Sequence, residues 1–183
     1  MTNKLGVIFK TLTFLTKYFV TSGTAATGDL IYYDGTNWNK LARGADNTTL
    51  RSTSTSIAYE NPLTALVVAC ADETSSMTAG TAKVTFRMPF AFTVTAVRAS
   101  LTTAGTGAAL ITIDINESGT TIISTKITID ASELTSTTAV TPPVISDSTL
   151  ADDAQMTVDI DQMDSDALAK GLKIYLIGYP TSV

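Results

Sequence analysis

The sequence predicts a mostly β protein: an antiparallel, jelly-roll-like sandwich preceded by an N-terminal helical or extended arm and a β-hairpin module. Three observations carry this. Charged residues make up only 16% of the 183 residues while hydrophobic ones make up 44%, against about 25% charged in an ordinary soluble domain. Threonine and serine replace much of the missing charge. Threonine is β-branched, so it favours strands, and its hydroxyl keeps an exposed strand wet. Beyond residue 64, short apolar or alternating runs recur with turn residues between them, the pattern of a sandwich or barrel. An immunoglobulin-like sandwich is the second architecture that fits. The chain reads as three segments: an arm and linker over 1–27, a hairpin module over 28–63, and the sandwich over 64–183.

In the arm, Leu5, Ile8, Phe9, Leu12, Leu15 and Phe19 fall at the spacing of a one-sided helix. The same run is rich in threonine and aromatics, which suits an extended arm. As a signal peptide it is interrupted by Lys10 and Lys17 and lacks a small-residue cleavage site. It is also too charged to cross a bilayer. A packing arm is therefore expected, with these six apolar residues as its anchors. Residues 21–27, TSGTAAT, form a small-residue linker.

Gly28–Leu41, GDLIYYDGTNWNKL, reads as a hairpin, with Leu30–Tyr33 and Trp38–Leu41 as strands and Asp34-Gly35 as the turn signal. Such a hairpin is marginal alone in water. Tyr32, Tyr33 and Trp38 are the groups expected to pack it onto something else. Residues 42–62 are polar, with Leu50 and Ile57–Tyr59 as apolar anchors and Pro62 closing the module.

The sandwich strands are expected at 65–71, 82–88, 92–101, 109–115, 121–129, 155–161 and 172–178. Asp164–Gly171 is expected to hold one helical turn, with Asp164 or Ser165 as N-cap and Gly171 past its end.

Composition narrows the function. A net charge of −5 argues against nucleic acid, which needs a basic stripe, and against a polybasic membrane contact. There is no histidine, the commonest general base and transition-metal ligand. The single cysteine, Cys70, sits in the apolar run LVVACA and is expected in the core.

The module Gly-Asp-(aliphatic)2-Tyr-Tyr-Asp-Gly-Thr-x-Trp-x-x-Leu at Gly28–Leu41 resembles one common in phage fibre and head-decoration proteins. Gly44, Leu50, Tyr59 and Pro62 match positions that follow it in that family. Two features depart from the family pattern. Arg51-Ser-Thr-Ser-Thr-Ser replaces a glycine-rich middle, and Tyr59 replaces a tryptophan before the proline. Residues 81–129 also look like a domain recurring in virion proteins of tailed phages. The resemblance implies trimeric surface proteins of heads or tails.

Little catalytic chemistry is visible. Asp152, Asp153, Asp159, Asp161, Asp164 and Asp166 cluster near the C-terminus, without EF-hand spacing. Asp159 and Asp161, on one face of a strand, are a weak calcium candidate beside the plainer reading of a solvated edge. Asp114, Glu117 and Asp130 are the carboxylates that glycosidase chemistry would need to pair. Gly105-Thr-Gly107 reads as a turn, since no helix follows to cradle phosphate. The expected protein is therefore not an enzyme and uses no cofactor. It is a structural phage virion protein: a capsid-attached head fibre or decoration (cement) protein, a homotrimer contacting the major capsid protein or another virion protein. A tail fibre or receptor-binding tip that binds a host surface glycan or protein is the alternative. A secreted bacterial β-sandwich adhesin is the third reading.

Overall fold

The computed structural model describes residues 26–181. The arm anchors Leu5, Ile8, Phe9, Leu12, Leu15 and Phe19 lie outside the described residues. The chain forms two compact units, Met1–Asn61 and Pro62–Val183.

The described part of the first unit is two hairpins. Strand β1 (Leu30–Tyr33) pairs antiparallel with β2 (Trp38–Leu41), and β3 (Thr49–Ser52) pairs with β4 (Ile57–Glu60). The first hairpin has the predicted strands but a different turn. Its loop is the four residues Asp34–Asn37 rather than a two-residue turn, with Gly35 at φ +99°. The Asp34 carboxylate accepts from the Thr36 and Asn37 N–H groups at 2.8 and 2.7 Å and from Asn39 Nδ2 at 2.6 Å. The second hairpin was not expected, because TLRSTSTSIAYE carries no clear alternation of apolar residues.

The second unit is a jelly roll. Its strands are β5 (Thr64–Ala69), β6 (Gly80–Arg87), β7 (Phe92–Ser100), β8 (Ile111–Glu117), β9 (Thr120–Thr121), β10 (Ile123–Thr125), β11 (Ile127–Ile129), β12 (Val144–Ile145), β13 (Thr149–Leu150), β14 (Gln155–Gln162) and β15 (Lys173–Pro180). One sheet runs β13-β7-β15-β5 and the other β11-β8-β14-β6, with β9 added to β8. Take the eight strands of these two paths in chain order, β5 being the first and β15 the eighth. The sheets then read 1-8-3-6 and 2-7-4-5, the strand order of a double Greek key. A further small pair, β10 with β12, lies beside them.

The core lies between the sheets. Phe92, Val94, Val97, Ile174, Leu176 and Leu150 come from one, and Ile111, Ile113, Ile115, Ile127, Met156, Val158 and Ile160 from the other. Alternation along each strand puts these on the inner face. Cys70 is 7% exposed and belongs to this core, as expected. Burial pushes its thiol up to about 12, so it is inert as a thiolate at neutral pH.

Three irregularities shape the surface. The two-residue primed turn occurs at Ser118-Gly119, with φ values of +49° and +86°, joining β8 to β9. On β7 the buried positions change phase from Phe92 and Val94 to Val97 and Ala99. The pairing slips there, Gly178 opposing Val94 while Ile177 opposes Ala96, and Thr95 Oγ1 bonds the Ile177 carbonyl at 3.2 Å. A second bulge on β6 places Ala82 at φ +47°, its N–H donating to Asp159 Oδ1 at 2.6 Å.

The helical turn predicted over Asp164–Gly171 does not form. The segment is a tight turn, with Ala167 at φ +52°. The one described helical element is a 3-10 turn at Ser136–Thr138. Tertiary contacts override the local propensity. Ala167 N–H closes the turn on the Asp164 carbonyl at 3.2 Å. Asp164 Oδ2 accepts from Leu168 N at 3.1 Å, and Asp166 accepts from the Thr106 N–H at 2.8 Å and from its hydroxyl. A Cβ at Gly105 would lie 2.2 Å from Asp164 Cγ, and one at Gly107 2.3 Å from Ser165 Oγ. Glycine is needed at both positions for this close approach.

This turn holds an acid pair. Asp164 is 4% exposed, its Oδ1 has no protein donor, and its carboxyl lies against that of Asp166. Burial and then the Asp166 charge hold Asp164 above the ordinary carboxyl range, and the contact with Asp164 holds Asp166 below it. Two such groups in contact share one proton. The stability from neutral Asp164 is present below its unfolded value and lost as pH rises through its raised folded value. That from Asp166 is present above its unfolded value and lost as pH falls through its depressed one. An Asp164→Asn variant keeps a donor toward Asp166 at every pH. Its melting temperature should rise relative to the wild type as pH increases from about 4 towards neutrality, the unfolded carboxyl value being about 3.9. A parallel pH dependence of the two proteins in thermal melts would rule out the shared proton.

Candidate functional site

The hairpin module is built around two carboxylates, Asp29 and Asp34, of which only Asp34 is marked in the sequence as a turn signal. Asp29 Oδ2 accepts from Ala26 N at 2.8 Å and pairs with Lys40 Nζ at 3.2 Å, while Oδ1 accepts from Arg43 N at 3.1 Å. These backbone donors, Ala26 first, hold Asp29 below the usual carboxylate range. Asp34 is lowered in the same way, by the Asn37 and Thr36 N–H groups. The Gly-Asp and Asp-Gly steps of the motif therefore fix backbone rather than offer a ligand site.

Gly44 has a separate packing reason. A Cβ there would lie 2.5 Å from Tyr59 Cγ and 2.4 Å from Thr48 Oγ1. The Tyr59 ring thus rests against the Gly44 backbone, which accounts physically for the pairing of Gly44 with an aromatic further along the module.

The aromatics divide between two faces. Tyr33 opposes Trp38, their ring centroids 5.3 Å apart and tilted by 47°. Ile31 lies on the same face, two residues before Tyr33. Tyr32 lies on the other face with Leu30 and Leu41. Tyr33 is 53% exposed, Trp38 43%, Ile31 49% and Leu50 47%. No described residue of 26–61 is buried. Sequence reading found Tyr32, Tyr33 and Trp38 but passed over Ile31. Strand alternation would have placed it on their face.

The calcium candidate is occupied by protein groups. Asp159 and Asp161 do share the outward face of β14. However, Asp159 Oδ1 is taken by the Ala82 N–H, and its Oδ2 accepts from Asn116 Nδ2 at 3.1 Å. Asp161 pairs with Lys126, which also reaches Asp114 at 3.1 Å. The lysine ammonium supplies the positive charge that calcium would have supplied. Among the described residues no cluster of three or more potential ligands of the His, Cys, Asp and Glu types occurs.

The remaining carboxylates have structural tasks. Asp114 is buried and accepts from Thr121 Oγ1 at 2.5 Å and from the Ile115 N–H at 2.8 Å. Glu117 accepts from Ala151 N at 2.8 Å, and Asp130 from Val140 N at 3.1 Å. Among the described residues no helix is long and apolar enough to cross a membrane.

No protein-family model matches the chain, and no curated protein matches it. The arrangement at hand is thus a surface of aromatic and aliphatic groups on a rigidly cornered hairpin, and beside it in the chain a self-sufficient β-sandwich.

Proposed function

We propose that this chain is a non-enzymatic structural protein of a tailed-phage particle, a capsid-attached head fibre or decoration protein that works as a homotrimer. One observation carries the reading. The described module 26–61 has no buried residue, yet it presents Ile31, Tyr33, Trp38 and Leu50 to solvent. An apolar surface on an element too small to make a core is an assembly surface before anything else. The module's resemblance to phage fibre and decoration proteins and the jelly-roll strand order, a frequent capsid architecture, support the same reading. In this scheme the module is the joint to the capsid or to symmetry mates, and the jelly roll projects. The added interface reinforces the shell or displays the projecting domain.

The test is attachment. A Tyr33→Ala/Trp38→Ala double variant should keep the jelly-roll circular dichroism and cooperative melt. Its occupancy on purified particles should fall about 30-fold or more, the loss expected when aromatic hot spots worth 2 kcal/mol or more are removed. Unchanged occupancy would overturn the assignment of the joint. Light scattering that gives a monomer at micromolar concentration would overturn the trimer.

A further inference from the structure

The outer face of the β13-β7-β15-β5 sheet carries a groove of about 240 Å³, lined by Arg98, Ser100, Thr135, Thr137, Tyr175 and Ile177. Its floor is a cross-strand row. Arg98 on β7 lies directly opposite Tyr175 on β15. Its wall is the 3-10 turn Ser136–Thr138, which is fastened to the edge of β7. The buried Ser136 hydroxyl accepts from the Ala99 N–H at 2.9 Å, the Leu134 carbonyl accepts from Leu101 N at 2.9 Å, and Ser100 bridges to Thr135. Thr135 Oγ1 caps the turn by accepting from Thr137 N at 3.2 Å. The groove is therefore preformed rather than dependent on a mobile loop.

Arg98 stands out in it. Lys40, Arg43, Arg51, Arg87, Lys126 and Lys173 each pair with a carboxylate, and Lys83 donates to Thr78 Oγ1. The Arg98 guanidinium, like the Lys170 ammonium outside the groove, makes no ion pair or hydrogen bond among the described residues, although acidic residues outnumber basic ones 17 to 12 in the chain. A guanidinium is a planar fork matched to a carboxylate. Around it stand the hydroxyls of Ser100, Thr135 and Thr137, the ring of Tyr175, with its Oη 3.0 Å from Ser100 Oγ, and the aliphatic Ile177. A guanidinium that donates to a carboxylate, several hydroxyl partners and one apolar face describe a single acidic sugar. The volume agrees, since drug-sized ligands need about 300–1,000 Å³. The chain's net negative charge opposes such a ligand only weakly, because carboxylates more than about 8 Å away are screened at physiological salt.

We propose that this groove binds a carboxylate-bearing saccharide, with Arg98 holding the carboxylate, Tyr175 and Ile177 covering the apolar face of the ring, and Thr135 and Thr137 meeting its hydroxyls. This function is additional to attachment, and it uses only the jelly roll. The soluble full-length protein is titrated by NMR and calorimetry with trigalacturonate and with 3′-sialyllactose, up to about 10 mM, since one shallow site should bind in the millimolar range. At least one should bind saturably and shift the resonances of residues 98, 100, 135, 137 and 175. Methyl-esterification of the bound sugar, or Arg98→Gln, should each weaken it at least tenfold, and Thr137→Val a few-fold. No binding of either sugar, equal binding of the ester, or unchanged binding by Arg98→Gln would overturn the proposal. So would a fall in oligomer mass for Arg98→Gln, which would mark this face as a contact between copies. Occupancy of Arg98→Gln protein on particles should be unchanged, so failure of the sugar site and failure of the decoration reading give different results.

Discussion

Gly178→Ala is expected to abolish the cooperative unfolding transition of the jelly roll or to leave it barely stable. A Cβ at this position would lie 1.9 Å from the Thr93 carbonyl oxygen and 2.9 Å from Phe92 Cε1. The nearest obstacle is backbone, and it belongs to β7, which is held between β15 and β13. Neither strand can move aside without breaking a ladder. Overpacking a core typically costs about 1–3 kcal/mol and sometimes more. With backbone as the obstacle, about 4 kcal/mol or more is expected, out of a total stability of about 5–15 kcal/mol for a domain. Urea denaturation measures it. A midpoint close to that of the wild type would mean that the β7 bulge relaxes to admit the methyl. Gly35→Ala provides the contrast. Nothing lies within 4 Å of a Cβ there, but the backbone sits at φ +99°, so the cost is the conformational one, about 1 kcal/mol.

Phe92→Ala should cost about 3–5 kcal/mol, the usual range for emptying a buried aromatic site. Phe92 is fully buried, and its ring lies 6.1 Å from that of Phe90. Its backbone opposes Leu150 on β13 and Pro180 on β15, so it is fixed from both sides and the cavity cannot easily collapse. Thermal and urea melts should both register the loss. Although Phe92 touches the Gly178 site, truncating it should not rescue Gly178→Ala, because the Thr93 carbonyl remains. A double variant more stable than Gly178→Ala alone would show that the ring was the real obstacle.

Legibility in the sequence followed burial. β7, β14 and β15 each bury alternate side chains over most of their length, and their alternation was readable. The β3–β4 hairpin has no fully buried residue, so no pattern marked it. The run 121–129 looked like one strand because it is almost entirely β-branched. In the fold it leaves β8, pairs with β12 and returns to β8. Ile122 and Ile123 are both buried, although successive side chains of one regular strand would point to opposite faces. The Asp164 turn misled because capping residues are only local signals, and the partners that overrode them lie some 60 residues away at Gly105 and Thr106. At the candidate sites, the aromatics of the module were visible by composition. The Arg98 groove was not, because its members meet only through the register of two strands and the fastening of a distant 3-10 turn.

The first and last strands of the sandwich are neighbours, with Thr64 opposite Gly178 and Ala69 opposite Lys173. The polypeptide therefore arrives and departs at one end of the jelly roll. Tension applied between residue 62 and residue 180 would peel β5 from β15 one hydrogen-bonded pair at a time, the mechanically soft direction for a ladder. Load delivered through residue 62 alone, as on a domain held only by the segment before it, leaves that zipper closed. The same adjacency makes a circular permutant, with the old ends joined by a short linker and new ones cut at Ser118-Gly119, a reasonable molecule to build.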